Sequence, residues 1–358
     1  VAARQELLDA YVAPVLMLAM AEKADVAFRG AVSRAMIYNA HEFMEAWATW
    51  HPQMFSRVEI SADSIVDAPR RAPARAIQAF SGGVDALFTT WTHRIGGPAL
   101  ARRPLEAGLL VHGFDIPLDD EGSMQLAYDK GRLVLDGVGV RLYRLKTNLK
   151  KAIRLDWEMF HGAAIASALM QFSEDFDQGL IGSSGPYDAL EIPWGSNPLT
   201  DHLAGGGAMS IVHDGAGNSR NDNINALAGW PLAADHLRVC WRNADASRNC
   251  GVCEKCIRTA LAFLAHGHAI PKSLKADITA DDILACRTSS NVHVARFRQL
   301  RDLALKNGIS APWVDAIGMK LEAGMSKRQR RSMAKPPHPV AALPDITFPP
   351  ASPAVAPH

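Results

Sequence analysis

The run Ala79-Phe80-Ser81-Gly82-Gly83-Val84-Asp85 places an apolar stretch, two glycines and an acid in the order that a strand, a tight turn and a helix start require. A glycine turn at a helix N-terminus gathers backbone N–H groups around one point. The helix dipole adds partial positive charge there, so the site favours phosphate or pyrophosphate. Ser81, Gly82, Gly83 and Val84 form the candidate cradle. Asp85 can cap the helix or reach a magnesium ion carried by the phosphates. The glycine spacing is neither G-x-x-x-x-G-K-[ST] nor G-x-G-x-x-G. The competing reading is an ordinary strand–turn–helix corner.

A second cluster is Cys240-x9-Cys250-x2-Cys253-x2-Cys256. Two-residue spacings let neighbouring thiolates converge on one ion, and four soft ligands in tetrahedral geometry suit zinc. An iron–sulfur cluster is the main competitor. With four protein ligands the metal has no open position, so its role is structural. Lys255 and Arg258 stand beside the cysteines in sequence and could offset their charge. Cys286, alone in a helical context, reads as a buried apolar residue.

Other polar residues are less distinctive. Lys146 and Asn148 close a strand. Trp194 to Asp201 is a dense polar loop in which Asn197, Thr200 and Asp201 could read a substrate or hold magnesium; a loop braced by its own side chains is the equal alternative. His202, His213 and His236 read as structural. His213-Asp214 followed by Ser219-Arg220 could face a pyrophosphate, with Arg220 as a clamp. No Ser–His–Asp arrangement is visible along the chain, and Ser81 is not in a G-x-S-x-G elbow, which argues against a hydrolase.

The elements that must position these residues follow from periodicity. Helices are expected over Glu6–Ala21 and Ala31–Trp50, the second with a core stripe of Met36, Phe43, Met44, Trp47 and Trp50, and a strand over Arg57–Ala62. Strands at Ala76–Phe80, Gly108–Phe114, Gly139–Leu145 and Gln178–Gly182 alternate with helices at Asp85–Arg94, Gly122–Lys130 and Phe160–Phe172. This alternation predicts an α/β fold with a parallel sheet, whose ligands sit at the carboxyl ends of the strands. Residues 190–225, rich in Gly, Pro, Asn and Asp, read as irregular structure or a lid. Helices are expected over 257–268 and 290–306. Beyond Gly324 a basic run, Lys327–Arg331, and a Pro/Ala-rich tail predict disorder. The basic run reads as a solvated helix end in preference to an RNA contact.

At 358 residues with 48% apolar content and a net charge of +1, the chain can bury a large core and shows no global signature of a nucleic-acid binder. Tyr11–Met20 is its best apolar run, too short to span a membrane. Five cysteines, four of them clustered, fit a reducing compartment, and a cytoplasmic location is expected.

The S-G-G-x-D turn after a strand resembles the pyrophosphate (PP-) loop of the N-type ATP pyrophosphatase superfamily. Together with the later cysteines and the order of elements from Ile77 to Ala265, it resembles the 7-cyano-7-deazaguanine synthase family. That resemblance implies a Rossmann-like, adenine nucleotide alpha hydrolase-like sheet with an N-terminal helical extension (1–70), an ATP-binding core (71–235), a helical zinc-binding region (236–323) and a disordered tail (324–358). It implies an AMP-forming C–N ligase with ATP, Mg2+ and Zn2+. ATP would adenylate a small-molecule carboxylate or amide, which ammonia or an amine would then attack. Carried over residue by residue, it puts Ser81, Gly82, Gly83 and Asp85 on the phosphates. His112 and Gly113 fall near the adenine, and Ser183 and Ser184 near the substrate. The four cysteines take zinc. On this reading Lys146 neutralises the α-phosphate. The chain departs at Ala86, where the family carries a hydroxyl, in the longer first cysteine spacing, and in the turn Gly113–Pro117. A divergent branch is therefore expected. The alternatives are a tRNA-base sulfur transferase using Cys286, and a nucleotide- or partner-binding module without turnover. The N-terminal extension would be a homodimer surface or a substrate lid.

Overall fold

The computed structural model describes residues 7–68, 74–240, 249–288 and 291–332. The chain opens with α1 (Asp9–Glu22), β1 (Val26–Ser33), α2 (Arg34–Trp50) and β2 (Ile60–Val66). β1 and β2 pair in parallel across α2, a small βαβ unit. Ser33 accepts from the Met36 amide and so caps α2. Its own amide and hydroxyl donate to the buried Asp9 carboxylate at 2.7 and 2.5 Å, which ties α1 to the start of α2. The expected stripe on α2 is core: Met36, Phe43, Met44 and Trp47 are buried. The strand β1 was not visible in the periodicity, because Val26-Ala27-Phe28-Arg29-Gly30 does not alternate and the register slips between Phe28 and Ala31. The second strand starts later than expected, at Ile60.

The central layer follows: β3 (Ala76–Ala79), α3 (Val84–Trp91), β4 (Leu105–His112), α4 (Glu121–Asp136), β5 (Arg141–Lys146), α5 (Leu149–Ala152), α6 (Trp157–Met170), β6 (Gln178–Gly182) and β7 (Ser210–Asp214). These strands form one all-parallel sheet in the order β5-β4-β3-β6-β7. Strand direction alternates side chains between two covered faces. Ala76, Leu110, Leu142 and Leu180 join a core with α3 and α4. Ile77, Leu109, Ile181 and Ile211 join another with α1, α2 and α6. β7 lies inside the segment expected to be irregular. It is a short edge strand, and Ile211-Val212 is too brief an apolar pair to register as periodicity.

The chain ends with α7 (Arg220–Ala228), α8 (Pro231–Ala234), α9 (Glu254–Ala265), α10 (Ala280–Ala285), α11 (Asn291–Lys306) and α12 (Pro312–Ser332). Contrary to the expectation of disorder from residue 324, α12 continues through the basic run to Ser332. The Pro/Ala-rich stretch from 333 on lies outside the described residues.

One close approach positions the loop that carries Asp201. A Cβ on Gly162 of α6 would lie 1.9 Å from the Gly195 carbonyl oxygen, while the Gly195 amide donates to Glu158 at 2.8 Å. Helix and loop therefore meet backbone to backbone. Gly162→Ala is expected to cost about 3 kcal/mol, the upper range for overpacking, read as a lower midpoint in urea unfolding. An unchanged midpoint would contradict the contact.

Candidate functional site

The strand order reverses between β3 and β6, so their carboxyl ends flank the crevice where parallel α/β sheets bind ligands. The glycine turn fills one side of it. Gly82 has φ +75°, the left-handed conformation that glycine tolerates. Gly83 is the N-cap of α3, and its amide donates to Ser81 Oγ at 3.3 Å. Leu87 is the first residue of the turn whose amide bonds back, to the Gly83 oxygen at 3.0 Å. The amides of Val84, Asp85 and Ala86 therefore have no intrahelical acceptor. The Val84 side chain is buried in the core, leaving only its amide to serve a ligand. Ala86 is also core, so the missing hydroxyl is replaced by a packed methyl. The Arg238 amide donates to the Gly82 oxygen at 2.8 Å and braces the turn from outside. A crevice lined by Phe80, Ser81, Gly82, Lys130, His236 and Arg238 opens on this side.

Two residues singled out separately in the sequence meet here. Arg220 Nη1 donates to Asp85 Oδ2 at 2.6 Å, and both side chains are about four-fifths buried. A capping box between Ser219 and Asp222 fixes the start of α7 and so the origin of Arg220. Asp85 Oδ1 and Arg220 Nε are buried and without a partner among the described residues. Further cations gather around this pair. Burial, then the repulsion of Arg220, lower Arg258 to about 10 against its 2.6 Å bond to Glu254. Lys255 retains exposed surface, yet packing around its ammonium and the nearby Arg220 lower its pKa against the pull of Asp115 and Asp85. Arg220 is thus the charge that Lys255 and Arg258 share as a neighbour.

The remaining expected residues divide. His112 is buried with Nε2 on the Pro117 oxygen at 2.6 Å, so its ring closes the following turn and leaves only backbone for a ligand. Gly113 (φ +110°) is required there, because a Cβ would meet the Thr147 oxygen at 2.0 Å. Lys146 does not join the glycine turn. It lies two strands away on β5, exposed and paired with Glu121. Ser184 is exposed beyond β6. Asn197 and Thr200 are buried loop-builders: Asn197 Nδ2 donates to the Trp194 oxygen at 2.7 Å and to Thr200 Oγ1 at 2.9 Å. His161 lies on α6 with Nδ1 on the Trp157 oxygen at 3.0 Å, and burial lowers its pKa, which keeps it neutral. Cys286 is buried among the C-terminal helices.

No Ser–His–Asp arrangement is visible along the chain, but the fold assembles one. Ser183 Oγ lies 2.8 Å from His213 Nε2, and His213 Nδ1 lies 2.7 Å from Asp201 Oδ2. Ser196 Oγ donates to Asp201 Oδ2 at 2.7 Å and the Asn197 amide to Oδ1 at 3.1 Å, so the carboxylate is held from three directions. No linear signal could have revealed this. The three residues come from the end of β6, a polar loop and β7, and they meet only because β6 and β7 pair in register.

The four expected cysteines do converge. Their Sγ atoms all lie within 4.8 Å of one another, with Cys250–Cys256 at 3.8 Å, Cys253–Cys240 at 4.0 Å and Cys253–Cys256 at 3.3 Å. Sulfurs bound at 2.3 Å around a tetrahedral ion stand about 3.8 Å apart, so the set fits one metal. Hydrogen bonds from neighbouring thiols, first Cys256, draw Cys253 down to about 5. Cys256 is pushed up, first by its bond to Cys253 and then by burial.

Fold and site together define a parallel α/β protein with a glycine turn at the topological switch point and a four-cysteine cluster able to hold one metal ion. No protein-family model matches the chain, and no curated protein or solved structure is found similar to it. No helix among the described residues is long and apolar enough to cross a membrane.

Proposed function

We propose that this chain is an ATP-dependent, AMP-forming C–N ligase of the PP-loop type, resembling the 7-cyano-7-deazaguanine synthases, with a structural zinc on Cys240, Cys250, Cys253 and Cys256. The observation that carries it is the Asp85–Arg220 pair at the mouth of the glycine turn, each partner retaining one unsatisfied buried atom. ATP would lay its phosphates on the free amides of α3. Arg220 and Lys255 would balance the charge that grows on the leaving pyrophosphate, and Asp85 would hold its magnesium ion. A substrate carboxylate or amide oxygen attacks the α-phosphorus, magnesium pyrophosphate leaves, and ammonia or an amine displaces AMP. A nucleotide-binding module without turnover would keep the cradle and lose the chemistry.

The test is a ³¹P NMR spectrum of the protein with ATP, magnesium, ammonium and a panel of carboxylates. AMP and pyrophosphate are expected. Asp85→Asn should slow their appearance about a hundredfold or more. Gly83→Val should slow it as well, because a side chain at this N-cap would stand 3.2 Å from Ser81 Oγ and 3.6 Å from the Arg238 oxygen and crowd the cradle. ADP and phosphate as products, or two fully active variants, would overturn the reading.

A further inference from the structure

Ser183, His213 and Asp201 lie largely buried at the carboxyl ends of β6 and β7, on the opposite face of the sheet from Asp85. Ser183 follows Ile181 by two residues and His213 follows Ile211 by two. Both isoleucines pack on the α6 side, so the strand period carries Ser183 and His213 to that side as well. Asp85 and Arg220 stand on the α3 side, where a Cβ on Gly182 would meet the Asp85 oxygen at 2.8 Å. β3 and β6 pair as far as Gln78 with Leu180, and the glycine turn and Ser183 follow the carboxyl ends of these neighbouring strands.

The hydrogen inventory of the relay is informative. Asp201 accepts at His213 Nδ1, which fixes that nitrogen as the donor and turns the Nε2 lone pair toward Ser183. The single Ser183 proton then has two acceptors within reach, His213 Nε2 at 2.8 Å and the Gly185 oxygen at 2.7 Å. A core serine needs only one. A serine whose hydroxyl can turn from a loop carbonyl to an oriented imidazole has the arrangement of an activated nucleophile. The loop that holds the alternative acceptor, from Ser184 to Ile192, is largely exposed, so releasing the hydroxyl disturbs little of the core.

We propose that Ser183 is a nucleophilic serine, with His213 as its general base and Asp201 as the residue that positions the base. Its substrate class is an activated acyl donor with an anionic leaving group, an acyl phosphate or acyl adenylate, because the N-terminus of α3 and Arg220 stand at the carboxyl end of the same sheet. Ser183 Oγ bonds to the acyl carbon, its proton passes to His213 Nε2, and the bond to the leaving phosphate breaks with the electron pair on that oxygen. That proton leaves His213 with the phosphate. Water or an amine then attacks the acyl carbon and gives up a proton to His213 Nε2; the bond from that carbon to Ser183 Oγ breaks, and His213 passes the proton to Oγ. This centre does not depend on the ligase reading, since a donor supplied from solution serves equally.

The test is reaction of the full chain with an alkyl fluorophosphonate, which traps an activated serine by loss of fluoride and needs no ATP. Intact and peptide mass spectrometry of wild-type protein is expected to show one adduct, on Ser183. His213→Ala should slow its formation about a hundredfold or more, and Asp201→Asn should slow it by a comparable factor. Circular dichroism melts of both variants report whether they fold. If either unfolds, the wild-type adduct still decides. No adduct on Ser183 in wild type, or labelling that survives in a folded His213→Ala variant, overturns the proposal. Failure of the ³¹P experiment with labelling intact would overturn the ligase and leave this centre standing.

Discussion

Withdrawing metal from the four cysteines is expected to unfold the helical region that follows them. Cys253 is the N-cap of α9, and Cys256 lies in its first turn beside the fully packed Ile257, Ala260 and Leu261. The ligands and the C-terminal core are therefore one unit. Structural zinc is worth on the order of 10 kcal/mol or more at neutral pH, comparable to the entire stability of a typical domain. A strong chelator should lower the 222 nm ellipticity and the melting temperature together, and Cys256→Ser should reproduce both effects. Elemental analysis of untreated protein should return one metal per chain. Because coordination needs deprotonated thiols, the metal should also leave on acidification. A melt unchanged by chelation, or protein free of metal, would contradict the assignment. The effect should reach the glycine turn. α9 packs on α7, whose first residue is Arg220, so loss of the centre should also loosen the Asp85 pair.

Arg220→Ala is expected to destabilise the fold by about 2–3 kcal/mol. Breaking a fully buried pair costs more than this, and the residual exposure of both groups reduces it. The penalty arises because Asp85 is left with one oxygen newly stripped of its donor and another already without one. Asp85→Asn combined with Arg220→Ala should therefore cost less than the sum of the single changes, with the difference read from urea unfolding as a double-mutant cycle. Additive effects would show that the two residues do not share an interaction. In the ligase reading, Arg220→Ala should also weaken ATP binding while the glycine turn itself persists. Gly82 and Gly83 are shaped by backbone geometry and by Arg238, independently of Arg220.

The cysteine ligands and the glycine turn were legible along the chain, because their chemistry is set by short spacings. Two-residue gaps bring thiols onto one ion whatever surrounds them. Ser-Gly-Gly between an apolar run and an acid makes a strand–turn–helix corner from local conformational preference alone. The alternation of strands with helices likewise announced a parallel sheet. It could not show β1, whose residues do not alternate, or β7, which offers one apolar pair at the sheet edge. The partner of Lys146 was hidden for a related reason. A strand end identifies the ligand edge of a sheet, but only the strand order reveals that β5 is the far strand and that Lys146 pairs with Glu121.

What tertiary structure alone decided is which polar residues meet. Asp85 and Arg220 are 135 positions apart and join because α3 and α7 pack side by side at the carboxyl edge. Ser183, Asp201 and His213 were read as a substrate-side serine, a loop acid and a structural histidine. The pairing of β6 with β7 in register turns them into a continuous relay on one face. Side-chain identity sets what a residue can do, and that is written along the chain. Hydrogen-bond partners at 2.6 to 2.8 Å depend on strand order, register and pleat, which emerge only when the whole sheet has closed.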